Sequence, residues 1–220
     1  MSCCAILVAA GSSRRMGFDK LAAPLAGKPV LRRTLEAFLA SDAIDHIVVV
    51  APQDRFDALL VGDYPKPVIR VEGGQDRQDS VRNGLAAVPE DCDLVAVHDG
   101  ARPLVSSSDI ARCIEVARMT GAAALARPVT ETLKRSDTEG FARESVDREL
   151  LWFMETPQIF RTSLLREACT AVLDRKLVTT DEVSALEAIG IPTRLIASVA
   201  PNPKITHPSD LILAEALLRA

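Results

Sequence analysis

Five short apolar runs stand out along the chain: Ala5–Ala9, His46–Ala51, Pro67–Val71, Leu94–Val97 and Ala122–Ala126. Each has the length of a strand, and an unbroken apolar run implies burial on both faces. Segments with helical spacing lie between them. Val30–Leu39 follows Gly-Lys-Pro, Asp79–Val88 puts Val81, Leu85 and Val88 on one stripe, and Ser108–Met119 aligns Ile110, Ile114 and Ala117. Strand–helix alternation with short loops predicts an α/β fold: a Rossmann-like, mostly parallel sheet with helices on both faces. Right-handed crossovers then gather the loops after the strands at one edge, where open α/β sheets bind ligands.

The rhythm changes between Val129 and Phe160. Thr132–Lys134 and Phe141–Val146 are short and polar, and Asp137–Gly140 between them is rich in turn formers. This stretch reads as a β-arm, at about 129–160, inserted into a single domain spanning 1–220. Helical spacing returns in Ser163–Leu173. Thr179 with Glu182 has capping-box spacing before Val183–Ile189, which Gly190 can end. Thr193–Ala197 predicts a last strand, and Pro208–Leu218 a closing helix.

Composition narrows the function classes. Hydrophobic residues make up 48% of 220 and charged residues 25%, which is ordinary for a globular protein. The net charge of −4 disfavours a nucleic-acid partner bound through bulk positive charge. Five cysteines without C-x-x-C spacing suggest neither a disulfide framework nor a zinc site, and they read as reduced thiols in a cytoplasmic protein. The apolar run at the N-terminus lacks a basic flank, so no secretory leader is expected. No run reaches the roughly 18 residues of a membrane span.

The chemistry concentrates in Ala9–Lys20, which follows the first strand. Gly11 lets backbone N–H groups approach a ligand, Ser12 and Ser13 add hydroxyls, and Arg14, Arg15 and Lys20 supply cations. Amides for close approach plus cations for charge suit a triphosphate. The P-loop pattern G-x-x-x-x-G-K-S/T fails because Phe18 follows Gly17, and G-x-G-x-x-G fails at Ser13. Gly73–Ser80 joins a strand to a helix at the same edge. His98-Asp99-Gly100-Ala101-Arg102-Pro103 follows another strand, where Asp99 is placed to hold magnesium or another divalent cation with phosphates and water. His98 has no evident partner for catalysis and reads as structural.

Taken together, these motifs resemble the 2-C-methyl-D-erythritol 4-phosphate cytidylyltransferase family over nearly the whole chain. They are Ala9-Ala-Gly-x-x-x-Arg15-Met, Gly73-Gly-x-x-Arg77-x-x-Ser80-Val, His98-Asp-x-Ala-Arg102-Pro, Val146-Asp-Arg148, Thr156-Pro-Gln158-x-Phe160, Thr180-Asp-Glu182 and Lys204-Ile-Thr206. The resemblance implies cytidylyl transfer from CTP to methylerythritol phosphate, with pyrophosphate leaving. It assigns Arg15 and Lys20 to the charge around the α-phosphorus, and Arg148 and Lys204 to the acceptor phosphate. Ala9, Ala10, Gly11, Ser12, Gly74, Ser80, Asp99 and Arg102 fall to the nucleotide, with Asp99 also toward the metal. Thr132, Thr156 and Thr206 fall to the acceptor. A homodimer is implied, with each arm reaching the neighbouring site.

Plainer roles stand beside these. Arg148 can be an arm ion pair and Lys204 a solvated loop lysine, while Thr180, Asp181 and Glu182 fit helix capping. Trp152 and Phe153 read as packing residues of the arm or of the dimer contact and not as stacking partners of cytosine. The spacer Gly17-Phe18-Asp19 before Lys20 is shorter than the family's usual one and closer to that of molybdenum-cofactor nucleotidyltransferases. A transferase for another polyol phosphate, such as ribitol 5-phosphate, and a non-catalytic nucleotide-binding module are the alternatives.

Overall fold

The computed structural model describes residues 1–11 and 16–219. The chain runs β1 (Cys3–Val8), β2 (Pro24–Leu25), β3 (Lys28–Pro29), α1 (Val30–Leu39), β4 (His46–Val50), α2 (Gln53–Leu59), β5 (Val68–Val71), α3 (Arg77–Ala86), β6 (Leu94–Asp99), α4 (Ser107–Thr120) and β7 (Ala122–Pro128). It continues through β8 (Leu133–Ser136), β9 (Ala142–Val146), β10 (Trp152–Arg161), α5 (Thr162–Asp174), α6 (Glu182–Glu187), β11 (Arg194–Ala197) and α7 (Pro208–Arg219). Seven strands form the central sheet in the order β11-β7-β10-β6-β1-β4-β5. All neighbours pair in parallel except β10, which runs antiparallel to both β6 and β7. This is the expected α/β architecture. Among the described residues, no helix is long and apolar enough to cross a membrane.

Strand β1 shows why its sequence is apolar throughout. Successive side chains point to opposite faces. Cys3, Ala5 and Leu7 enter the core packed by Leu31, Leu35 and Phe38 of α1 and Ile110 and Ile114 of α4. Cys4 and Ile6 enter the other core, with Val81 and Leu85 of α3, Leu165 and Ala168 of α5, and Leu186 of α6. Both faces are covered, so neither set can be polar.

Strand order positions the site. From β1 the chain adds β4 and then β5 on one side, and β6 returns to pair with the other side of β1. The reversal lies between β1 and β6, whose last residues, Val8 and Asp99, are in register. Loops leaving a sheet in opposite directions open a crevice at such a point.

Several expectations need correction. Trp152–Arg161 belongs to the central sheet, and the hairpin arm is only β8 with β9. The polar stretch Glu155–Gln158 concealed this strand. Its Pro157 sits where the pairing with β7 shifts register, a place where a missing N–H costs no ladder bond. Helix α2 was not foreseen, because it is largely polar and buries no residue fully. The cap of α6 is Asp181, which accepts from Ser184 N at 2.9 Å, rather than Thr179.

Gly84 lets α3 press onto the sheet. A Cβ there would stand 2.6 Å from Ile6 Cγ2 and 2.9 Å from Val50 Cγ2. Gly84→Ala is expected to destabilise the fold by about 1–3 kcal/mol through overpacking, partly offset by helix propensity. A denaturant midpoint at or above that of the wild type would contradict this tight contact.

Candidate active site

A cleft of about 610 Å³ opens at the ends of β1, β5 and β6. Ala9, Ala10, Gly11, Lys20, Gly74, Ser80, Asp99, Lys204 and Thr206 all line it. These nine were proposed from sequence positions as far apart as 9 and 206, and the fold brings them together. Ser12 and Arg15 lie outside the described residues.

Gly73 and Gly74 are dictated by crowding. A Cβ on Gly73 would lie 2.3 Å from Ala10 Cβ, and one on Gly74 2.2 Å from Asp79 Cβ. Only glycine lets this loop close against both β1's exit and the start of α3. Gly74 N donates to Ser80 Oγ at 3.0 Å, and that hydroxyl donates to Asp76 O. Ser80 therefore fixes the loop that lines the cleft.

Asp99 is the electrostatic centre. Lys204 Nζ lies 3.0 Å from its Oδ2, Arg102 Nε 3.3 Å from the same oxygen, and Arg77 Nε 3.6 Å from Oδ1. Burial pushes the carboxyl toward its neutral form, but Lys204, Arg77 and Arg102 outweigh that and hold it well below the usual carboxylate range. Arg77 is itself gripped by Glu182 through two bonds of 2.6 and 2.9 Å. Such a planar fork fixes the guanidinium's orientation as well as its charge.

Behind Asp99 stands a chain of buried hydrogen bonds. Asp99 N donates to Thr156 Oγ1 at 3.1 Å. His98 Nε2 lies 3.1 Å from Arg102 O, which can only accept, so Nε2 carries the proton. His98 Nδ1 then accepts from Thr156 Oγ1 at 3.0 Å. The His98 ring packs on Phe38 with centroids 4.8 Å apart. This is the structural role read from the sequence.

A model of the family described as 2-C-methyl-D-erythritol 4-phosphate cytidylyltransferase matches residues 3–220. The chain belongs to the 2-C-methyl-D-erythritol 4-phosphate cytidylyltransferase family. The relative of that name from Pelotomaculum thermopropionicum is 41% identical, across 98% of this chain and 94% of the relative. The one from Caldanaerobacter subterraneus is 38% identical across the full length of both. The crystal structure of 2-C-methyl-D-erythritol 4-phosphate cytidylyltransferase from Thermus thermophilus superposes with a TM-score of 0.84, at 35% identity and full coverage of both chains.

Four residues carried over from the cytidylyltransferase family stand away from the cleft of their own chain. Thr132 and Arg148 are exposed on the arm, where Arg148 Nη1 donates to Thr130 O. Thr156 is buried, and its hydroxyl already accepts from Asp99 N and donates to His98. Its contact is with Asp99 from behind. Arg102 is likewise buried, bonded to Asn202 O at 2.8 Å and Met154 O at 3.3 Å, and it braces Asp99.

Three residues escaped the sequence reading. Arg77 lines the cleft and was noticed only as a motif letter. Glu182 was read as a cap, but its side chain turns inward to Arg77. Gln158 Oε1 accepts from Glu182 N and Val183 N, and its Nε2 donates to Asp181 Oδ2 at 2.9 Å, tying β10 to α6. Partners at least 22 positions away leave no local pattern to find.

Burial lowers the His98 pKa from 6.5 to about 4. As pH falls through that window, the unfolded chain takes up a proton that the folded chain refuses, so stability is lost. The loss reaches on the order of 3 kcal/mol at the lower end. His98→Gln is expected to flatten the plot of unfolding free energy against pH between 6.5 and 4. An unchanged slope in that variant would show that His98 is not kept neutral.

Proposed function

We propose that this chain transfers the cytidylyl group of CTP to 2-C-methyl-D-erythritol 4-phosphate and releases pyrophosphate. One observation carries the reading: Ala9, Ala10, Gly11, Gly74, Ser80 and Asp99, assigned to the nucleotide, line the same cleft as Lys204 and Thr206, assigned to the acceptor. A phosphate oxygen of the acceptor attacks the α-phosphorus of CTP. The new P–O bond forms as the bond from that phosphorus to the oxygen bridging to the β-phosphate breaks, and pyrophosphate carries away the electron pair.

Alignment and charge stabilisation do the work, since no covalent enzyme intermediate is required. The backbone of Ala9–Gly11 approaches the phosphates, and Lys20 with Arg15 offsets charge at the α-phosphorus. A preorganised cation in a water-poor site is worth a few kcal/mol there. Lys204 and Thr206 hold the acceptor phosphate. Arg148 and Thr132 are exposed on the arm, which fits service in the neighbouring subunit of a homodimer.

The cleft also suits a magnesium ion. Asp99 is ionised and faces the space the phosphates would occupy. Among the described residues, no group of three His, Cys, Asp or Glu side chains could hold a metal. The other ligands would be phosphate oxygens and water, as is common for magnesium. Its chemistry would be to neutralise phosphate charge.

The assay is pyrophosphate release from CTP with methylerythritol phosphate and magnesium. We expect turnover with this acceptor and little with ribitol 5-phosphate. Lys20→Ala is expected to lower kcat by about 10²-fold or more. Turnover with ribitol 5-phosphate alone would overturn the acceptor assignment, and wild-type kcat in Lys20→Ala would remove that lysine from the mechanism.

A further inference from the structure

Arg55 drew no notice in the sequence and does not line the cleft. It rises from α2 behind the loop that leaves β1. Its Nη1 donates to the carbonyl oxygens of Ala9 and Gly11, the latter at 3.2 Å. Its Nε donates to Asp19 Oδ2 at 3.0 Å. The other Asp19 oxygen accepts from Leu21 N at 3.1 Å. One guanidinium thus touches the entry of the loop and the residue directly before Lys20.

The structure assigns Arg55 a positioning role: it joins the two ends of the glycine-basic loop and thereby sets where Lys20 and the Ala9–Gly11 backbone meet the nucleotide. The assignment rests on the reading of the cleft as the CTP site. Several observations carry it. The Arg55 side chain is only 13% exposed, so its bonds form largely out of water. A trans peptide unit points its C=O and N–H in opposite directions, so holding the Ala9 carbonyl turns the Ala10 N–H away from Arg55. Ala9 N is bonded to Val50 O at 2.8 Å, which fixes the other side of that residue to β4. Beyond Asp19, Lys20 Nζ reaches Ile205 O at 2.8 Å, so the position of Asp19 bears on how the loop meets the segment that carries Lys204.

The geometry needs an arginine. A planar fork presents donors in several fixed directions at once, whereas a lysine ammonium is a point charge. Core packing does not account for Arg55. Helix α2 leans on the core through Phe56 and Leu59, its neighbours in sequence, and these remain when Arg55 is replaced.

The experiment compares wild type, Arg55→Ala, Arg55→Lys, Asp19→Ala and the Arg55→Ala/Asp19→Ala double variant. Three quantities are read: steady-state kinetics, thermal midpoint, and the rate at which trypsin cuts the Lys20–Leu21 bond. Wild type must first turn over CTP with methylerythritol phosphate; if it does not, the functional reading fails, and trypsin cleavage alone then judges Arg55. With turnover established, Arg55→Ala is expected to lower kcat by about 10²-fold, the scale of a small misplacement of catalytic groups. Trypsin should cut its Lys20–Leu21 bond several-fold sooner. Arg55→Lys should recover little of the loss, and the loss in the double variant should fall short of the sum of the two single losses, because both changes break the Arg55–Asp19 bond. A kcat within twofold of wild type, or unchanged trypsin cleavage, overturns the proposal. If Arg55→Ala melts far below wild type, the lysine and Asp19 variants decide: rescue by lysine, or additive losses, overturns it as well.

Discussion

Asp99 keeps its negative charge at the end of β6, where burial alone would favour the neutral acid. Three cations make this possible, and each is anchored elsewhere. Arg77 comes from α3 and is clamped by Glu182 of α6. Arg102 is bonded to the backbone of Met154 in β10 and of Asn202. Lys204 follows in the segment that leads to α7. Attraction between charges strengthens as water is excluded, and removing one partner of a buried pair leaves the other uncompensated. Elements from three distant parts of the chain are therefore fastened to one carboxylate, and the cleft is the space they leave at its edge.

This arrangement fits phosphate chemistry. Cations in the cleft are held in place before any ligand arrives, so little reorganisation accompanies the reaction. Lys20 enters from the loop after β1 and Lys204 from the far end of the chain. The bond from Lys20 to Ile205 O brings the two segments together. A triphosphate and an acceptor phosphate bound here would meet cations fixed by different elements, which is what alignment of two anions demands.

The sheet was legible because its strands are buried on both faces. Ala5–Ala9 and Leu94–Val97 admit no polar residue, and that requirement is written locally. The cleft was legible for a different reason. Gly73, Gly74 and Gly11 sit directly after strands, where topology places ligands. Strand β10 was harder to read, since its polar centre is satisfied by partners distant in sequence: Thr156 by Asp99 and His98, and Gln158 by α6. A buried polar residue looks like a loop residue until its partners are known. Arg55, Arg77 and Glu182 were hidden on the same ground, because each acts through a residue at least 22 positions away. Arg102 and Thr156 show the converse, since both carry motif letters but are bonded within the protein and do not line the cleft.

The most direct measurement is a crystal structure with CTP and a divalent cation bound. The account predicts the triphosphate against the backbone of Ala9–Gly11, with Lys20 near the α-phosphate, Gly74–Ser80 along the nucleoside and the cation beside Asp99. A nucleotide bound elsewhere, with this cleft open to solvent, would contradict it.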